Sequence, residues 1–377
     1  MRGGERRLDT RRAGSYRGRM ADPPTAPSRL QVAGSRTLAQ WMARENTALA
    51  FTSHRRGALF FLGLAPDGTF YCHPQPYRRA TGLHLTPEGS LFVGGMRRVW
   101  RLENVLAQGA RAGAHDRLYQ PRQAWTVGEV DLHELALDRA GRLVFANTQY
   151  SCLATSHWIH AFQPIWKPPF ITALEPQDRC HLNGLALEDG APRYVTMLGA
   201  ADAPEGWRAA PTEGLLIDVR AERAVASGLA MPHSPRLHDG RLYALESGRG
   251  MLVEVDRATG ETRDIAFAPG FLRGLSFHGG AAAVTLSLPR GDQAFAALPI
   301  HAELQHRLLT PSCGVHLIAL QTGELLGRLE LTGVDELFDV AFLPGCTAPA
   351  GLPLEPADNQ VSVSFDPAFA PLDPPAT

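Results

Sequence analysis

The sequence predicts an all-β chain folded as a six-bladed β-propeller, its ring closed by N-terminal strands pairing with the C-terminal strand. Three observations carry that expectation. First, a short apolar segment recurs six times, each followed by a glycine seven or eight residues after its start. The segments are residues 81–85 with Gly89, 133–137 with Gly141, 183–187 with Gly190, 233–237 with Gly240, 273–277 with Gly280 and 338–342 with Gly345. Their spacings of 52, 50, 50, 40 and 65 residues suit one four-stranded blade per unit. Second, one unit can be read strand by strand. In the fourth, an inner strand near 234–237 is followed by strands at 241–245, 251–255 and 263–267, with glycine-bearing turns between most of them. Third, the two ends complement each other. The sixth inner strand, 339–342, has no convincing strands after it, whereas strands at 48–52, 58–64 and 69–72 have no inner strand before them. Sharing one blade between the ends removes the open edges of the ring.

Along the chain, residues 1–33 read as a disordered, Arg-rich segment. The seven arginines of residues 1–19, with no apolar stretch among them, describe a solvated tail or sequence upstream of a start at Met20, not a secretory signal. Ser35 is placed to cap a short helix whose apolar stripe is Leu38, Trp41 and Met42. The propeller is expected over 34–348, followed by a Pro-rich disordered tail at 349–377. The net charge of −1, from 37 basic and 38 acidic residues, gives no electrostatic case for nucleic acid or an anionic membrane. No apolar run reaches the ~20 residues of a membrane helix. Five scattered cysteines without C-x-x-C spacing predict neither a disulfide framework nor a zinc knuckle, and a cytoplasmic location.

In a propeller the inner strands start at one mouth of the central channel. The first residues of the six segments, Thr81, His133, Asn183, His233, Arg273 and Phe338, therefore share one ring, with Gly82, Glu134, Gly184, Ser234, Gly274 and Asp339 next in line. Two imidazoles and an amide oxygen (His133, His233 and Asn183), with a carboxylate beside them, could hold a divalent metal, and neutral imidazole favours zinc or another transition ion over calcium. Glu134 or Asp339 would move a proton. Arg273 would anchor an anionic substrate group and take part in catalysis. His181, Arg179, Trp207 and Arg236 are further candidate substrate contacts. Two other readings of the ring stand beside the metal: a metal-free polar ligand site, and polar residues that serve only backbone groups and water.

The loops on the same face are decorated. They include residues 147–152, 166–170 and 178–181, 202–208, and a long insertion at 289–312 that explains the 65-residue spacing. Aromatic and Pro-rich loops over a polar funnel suit a lid or a specificity wall, or serve only to pack the loops down. The H-E-x-x-H, G-x-S-x-G, P-loop and G-x-G-x-x-G patterns are all missing.

From about Leu38 to Gly345 the chain resembles an uncharacterised bacterial family of conserved hypothetical proteins, a resemblance carried by residues 178–185, 231–236, 269–274 and 313–315. It implies a fold similar to six-bladed propellers. More distantly, Asn183-Gly184-Leu185 is similar to the segment bearing a metal-binding asparagine in the gluconolactonase and senescence-marker group of propeller hydrolases. That resemblance implies a metal role for Asn183. The group's acidic ligands are unmatched at the ring, where His133 and His233 stand, which brings the site nearer to His-ligated propeller lyases by analogy. The expected function is small-molecule binding at the central mouth, as a metal-assisted hydrolase or lyase. The alternative is a non-catalytic propeller that binds a peptide or partner protein there.

Overall fold

Within each repeat the strands follow one another by short turns, so each unit folds on itself before it meets its neighbours. The computed structural model describes residues 30–354 apart from Asp292. It is a six-bladed propeller. The first blade runs outward from Leu83–Leu85 through Leu91–Gly94 and Arg98–Asn104 to Arg117–Thr126. The second comprises Leu132–Leu137, Leu143–Asn147, Cys152–Thr155 and Gln163–Trp166, and the third Leu182–Glu188, Ala191–Met197, Gly214–Asp218 and Arg223–Leu229. The fourth comprises Pro232–His238, Arg241–Glu246, Met251–Val255 and Thr262–Phe267, and the fifth Phe271–His278, Ala281–Ser287, Gly314–Ala319 and Leu325–Thr332. In the sixth, Val340–Pro344 pairs antiparallel with Thr47–Ser53, and Ala58–Leu64 and Phe70–Pro76 follow. Each inner strand touches those of the two neighbouring blades, and the contacts close into a ring.

The core is divided accordingly. Six apolar clusters lie one between each pair of adjacent blades. Alternation sends successive side chains of a strand to opposite faces, and because both faces are covered, most inner strands are buried on both sides. The helix Arg36–Arg44 is capped by Ser35, whose hydroxyl accepts from the Leu38 amide at 3.2 Å. Its buried stripe of Leu38, Trp41 and Met42 seals the seam between the fifth and sixth blades. Among the described residues no helix is long and apolar enough to cross a membrane.

Two segments depart from the expected boundaries. Gln31–Gly34 is a fifth strand on the outer edge of the fifth blade, antiparallel to Leu325–Thr332, and not unstructured. Pro349–Gly351 is a fifth strand parallel to Arg117–Thr126 of the first blade. The physical reason is shared: the outermost strand of a blade offers unpaired backbone groups, which a short extended segment can satisfy whatever its composition. Together the two additions tie both neighbours of the closing blade to the chain ends. The rest of the predicted tails, 1–29 and 355–377, lies outside the described residues.

Asp116 fixes the second of these additions. Its carboxylate accepts from the Thr347 amide (2.8 Å), the Thr347 hydroxyl (2.7 Å) and the Ala348 amide (2.8 Å). Asp116→Ala is expected to lower unfolding free energy by about 1–3 kcal/mol, through donors left without partners. Urea denaturation checks this; an unchanged midpoint would show that the C-terminal strand contributes nothing to closure.

Candidate functional site

The ring residues leave the sheet ladder by a repeated device. In blades two to five, pairing of the inner strand with its neighbour is interrupted by one extra residue between Leu132 and Leu135, Leu182 and Gly184, His233 and Arg236, and Leu272 and Leu275. Such bulges re-aim side chains. Two residues before the ring position, Arg79, Asp131, His181 and Met231 adopt left-handed backbone, with φ of 54°, 48°, 52° and 47°. That conformation costs a non-glycine residue about 1–3 kcal/mol.

The strained turns orient the imidazoles. Nδ1 of His133 lies 2.9 Å from the Asp131 carbonyl, and Nδ1 of His233 lies 3.0 Å from the Met231 carbonyl. A carbonyl only accepts, so Nδ1 carries the proton in both rings and Nε2 keeps its lone pair. Hydroxyls reinforce the arrangement: Thr148 is 2.7 Å from His133 Nδ1 and donates to the Leu182 carbonyl, and Ser247 is 2.9 Å from His233 Nδ1. Nε2 of His233 is buried without a hydrogen-bond partner among the described residues. Burial, with Arg273 adding, holds His233 well below the ordinary histidine range, and burial does the same for His133. Both are neutral acceptors at physiological pH.

The next residue along each inner strand follows a second pattern. Glycine occupies blades one, three and five, and a polar side chain occupies two, four and six. Each polar side chain reaches laterally to the following blade. Glu134 accepts from the Leu185 amide (2.6 Å), Ser234 donates to the Arg273 carbonyl (2.7 Å) and Asp339 accepts from the Leu83 amide (2.7 Å). The glycines between them have no room for a side chain: a Cβ on Gly82 would stand 2.6 Å from the His133 carbonyl oxygen, and one on Gly274 would stand 2.6 Å from the Asp339 Cα. Arg236 completes this level, bonded to Glu134 and 3.8 Å from Asp339. Burial, followed by neighbouring Asp339, raises Glu134 above the usual carboxylate range against the pull of Arg236. The two expected proton carriers and one expected substrate contact thus form an ion cluster that plugs the channel and stitches inner strands together.

Arg273 differs from all of these. It is only 6% exposed, and among the described residues its guanidinium forms no ion pair and donates no hydrogen bond. It stands over the rings of Phe338 (4.9 Å) and Phe271 (5.5 Å). Burial and then Arg290 lower it to about 10, so it stays charged at neutral pH. Arg273 shares with His133, Glu134, Asn183, His233, Ser234, Phe338 and Asp339 a cavity of about 10 Å³, room for about one water. Asn183 is largely committed: its amide donates to the Pro232 carbonyl (3.1 Å) and its oxygen accepts from Thr196 (2.7 Å). Among the described residues no three His, Cys, Asp or Glu side chains group as a metal site.

Beside the ring, His181 Nδ1 lies 2.8 Å from Asp178, which also accepts from the Trp207 indole at 3.1 Å. The His181 ring packs between His133 (4.8 Å) and Trp207 (4.7 Å). Arg179 points elsewhere, into Asp202 (2.6 Å), Glu175 (2.7 Å) and Gln177 (3.0 Å), where it folds the loop. The insertion after the fifth blade's second strand forms helices Gln293–Ala296 and Ile300–His306. Phe295, Leu298 and Ile300 pack with Phe271, Met231 and Trp207 in an apolar cluster beside the ring. Trp158 is 100% exposed and does no such packing.

The other end of the channel widens into a cavity of about 430 Å³. Leu85, Leu187, Leu237, Phe277 and Phe342, the fifth residues of five of the repeated segments, line it, and Arg236 is also among its lining residues. The sequence reading centred on first positions and passed over this end, although the apolar fifth position was visible in the repeat.

Residues 36–352 match the family model described as a domain of unknown function, DUF4915. The chain belongs to this family. The DUF4915 match begins at the first helix and ends just beyond Pro349–Gly351, so it spans the whole ring. No curated protein matches the chain. Among solved structures, this DUF4915 protein is similar to a chain in a nidogen/laminin complex, with a TM-score of 0.52 at 10% identity, over 79% of this chain and 99% of that one. It is also similar to virginiamycin B lyase from Staphylococcus aureus (TM-score 0.39, 9% identity, 81% and 100% covered) and to a streptogramin B lyase (TM-score 0.38, 12% identity, 76% of each). At these identities the likeness is one of fold.

Proposed function

We propose that the mouth of the propeller binds a small molecule through an anionic group, with the Arg273 guanidinium as its anchor and the bare Nε2 atoms of His233 and His133 accepting from a hydroxyl or N–H beside that group. One observation carries this reading: a buried, charged guanidinium that, among the described residues, makes no direct ion pair or hydrogen bond, in the same cavity as a buried imidazole nitrogen with no donor. A charge of that kind is costly to bury unpaired, and a ligand that carries both an anionic group and a hydroxyl or N–H would satisfy the guanidinium with the first and the imidazole nitrogen with the second. The flanking Phe271 and Phe338 rings hold the guanidinium plane and exclude water, which strengthens any charge-assisted hydrogen bond formed there. If the ligand is turned over, His181 is the proton-moving group, because Asp178 accepts from its Nδ1–H and leaves the lone pair on Nε2. The donor set fits an anion better than a metal. Its amide is committed, its two carboxylates, Glu134 and Asp339, face Arg236, and Arg273 repels a cation at close range.

The test compares small hydroxycarboxylates with their methyl esters by calorimetry and thermal shift, with elemental analysis on the same preparation. The acids are expected to bind and to raise the melting temperature by several degrees at saturation, and the esters are expected to do neither. Equal behaviour of acids and esters would overturn the anion reading. A stoichiometric metal, lost in His133→Ala and His233→Ala, would establish the metal site instead. Binding of neither, with capture of a peptide at the mouth, would leave the non-catalytic module.

A further inference from the structure

The chain as a whole is nearly neutral, so a local excess of one sign has to be compensated elsewhere or by a ligand. Such an excess lies on the mouth face of the sixth and first blades. The turn between Thr47–Ser53 and Ala58–Leu64, the loop entering the first blade, and the turn between Leu91–Gly94 and Arg98–Asn104 bring Arg55, Arg56, Arg78, Arg79, Arg97 and Arg98 onto three adjoining segments. Backbone bonds hold the segments together: the Tyr77 amide donates to the Gly57 carbonyl (2.8 Å), and the Met96 amide to the Arg78 carbonyl (3.0 Å).

Local acids account for only part of this charge. Glu129 pairs with Arg97 at 3.0 Å, and Asp131 with Arg79 at 3.7 Å. Arg56 donates to the Gly333 carbonyl at 2.7 Å. Arg55, Arg78 and Arg98 are exposed, and among the described residues none of the three pairs with a carboxylate. The arc is continuous with the ring. Arg79 donates to His54 Nε2 (2.8 Å), the His54 ring lies 6.1 Å from that of Phe338, and Phe338 underlies Arg273. A concave mouth lined by one sign of charge focuses the field on its opening, and arginine forks match carboxylate and phosphate oxygens in pairs.

We infer that the ligand of this mouth carries at least two anionic groups, one on Arg273 and another on the arc of Arg55, Arg78 and Arg98. The inference rests on the anion-binding reading of Arg273 and adds the class of ligand, a small polyanion whose charges are carboxylates or phosphates.

The experiment uses the full chain and three probes: acetate as a monoanion, citrate as a polycarboxylate and inositol hexakisphosphate as a polyphosphate. Calorimetry is run on wild type, on the triple variant Arg55→Gln, Arg78→Gln, Arg98→Gln, and on Arg273→Met. The substitutions of the triple variant lie on exposed turns, and circular dichroism confirms its fold. Wild type is expected to bind at least one polyanion tenfold or more tighter than acetate, with affinity that falls as salt rises. The triple variant is expected to lose about tenfold or more for that polyanion and to keep its acetate affinity. Preference for citrate or for the inositol phosphate identifies carboxylate or phosphate as the natural charge. Polyanion affinity that is unchanged in the triple variant, or no greater than acetate affinity in wild type, overturns the inference. Unchanged binding of every probe in Arg273→Met overturns the mouth reading beneath it.

Discussion

Arg273→Met is expected to stabilise the fold while abolishing anion binding. The two effects have one origin. A guanidinium buried without a directly paired carboxylate has lost its water and gained, in direct contact, two aromatic faces, which return about 2 kcal/mol against a larger desolvation cost. Methionine keeps much of the stem's volume, packs against Phe271 and Phe338, and brings no charge. An increase in unfolding free energy of about 1–2 kcal/mol is expected, read as a higher midpoint at unchanged slope in urea. Binding of a hydroxycarboxylate should weaken by a hundredfold or more, because a charge-assisted, bidentate contact is lost at a desolvated site. A variant that is less stable than wild type would show that Arg273 serves the fold and that the ring is structural. The opposing signs separate a ligand anchor from a structural cation, because a residue retained for binding can be a burden to the empty protein.

Arg236→Leu is expected to do the reverse and damage the fold severely. Arg236 is the cation between Glu134 and Asp339 on the channel axis. Its removal leaves two buried carboxylates facing each other, and breaking a buried ion cluster in this way costs about 3–5 kcal/mol. The same cluster makes wild-type stability depend on pH in a defined direction. Burial lifts Glu134 from its ordinary 4.5 to about 7. The folded state therefore holds this proton to higher pH than the unfolded chain does. The contribution is complete below the ordinary value and is lost as pH rises through the raised one. Stability should fall between about pH 4.5 and 7 on account of this group, more steeply in Arg236→Leu, and Glu134→Gln should remove its share of the slope, leaving that of Asp339, whose carboxyl burial also raises. Urea midpoints across that range measure it. An unchanged midpoint in Arg236→Leu at pH 8 would mean that the plug carries no weight in holding the inner strands together.

Much of the architecture was legible because a propeller repeats one local solution. Every blade needs an inner strand, turns and a glycine at similar intervals, so the period of about fifty residues exposed the blade count. The unmatched strands at 48–52, 58–64 and 69–72 predicted the shared closing blade that Val340–Pro344 completes. Gln31–Gly34 and Pro349–Gly351 were not legible. An edge strand added through backbone bonds needs no side-chain pattern, and Pro349 and Pro353 further conceal the second of the two.

At the mouth, the residue types along the chain determined which chemical groups share one level: His133, Asn183, His233, Arg273 and Phe338 line one cavity with Glu134, Ser234 and Asp339. What each group is free to do was decided only in three dimensions. Glu134, Asp339 and Arg236 looked like available chemistry, yet they neutralise one another on the axis, while Arg179 is consumed by Asp202 and Glu175. Arg273, of the same residue type, makes direct side-chain contact with aromatic faces but, among the described residues, with no carboxylate. Sequence spacing places residues on a ring because the backbone repeat is regular. Pairing depends on distances of a few ångströms between side chains from different blades, and those are set by bulges, left-handed turns and the narrowness of the channel, which no one-dimensional period encodes.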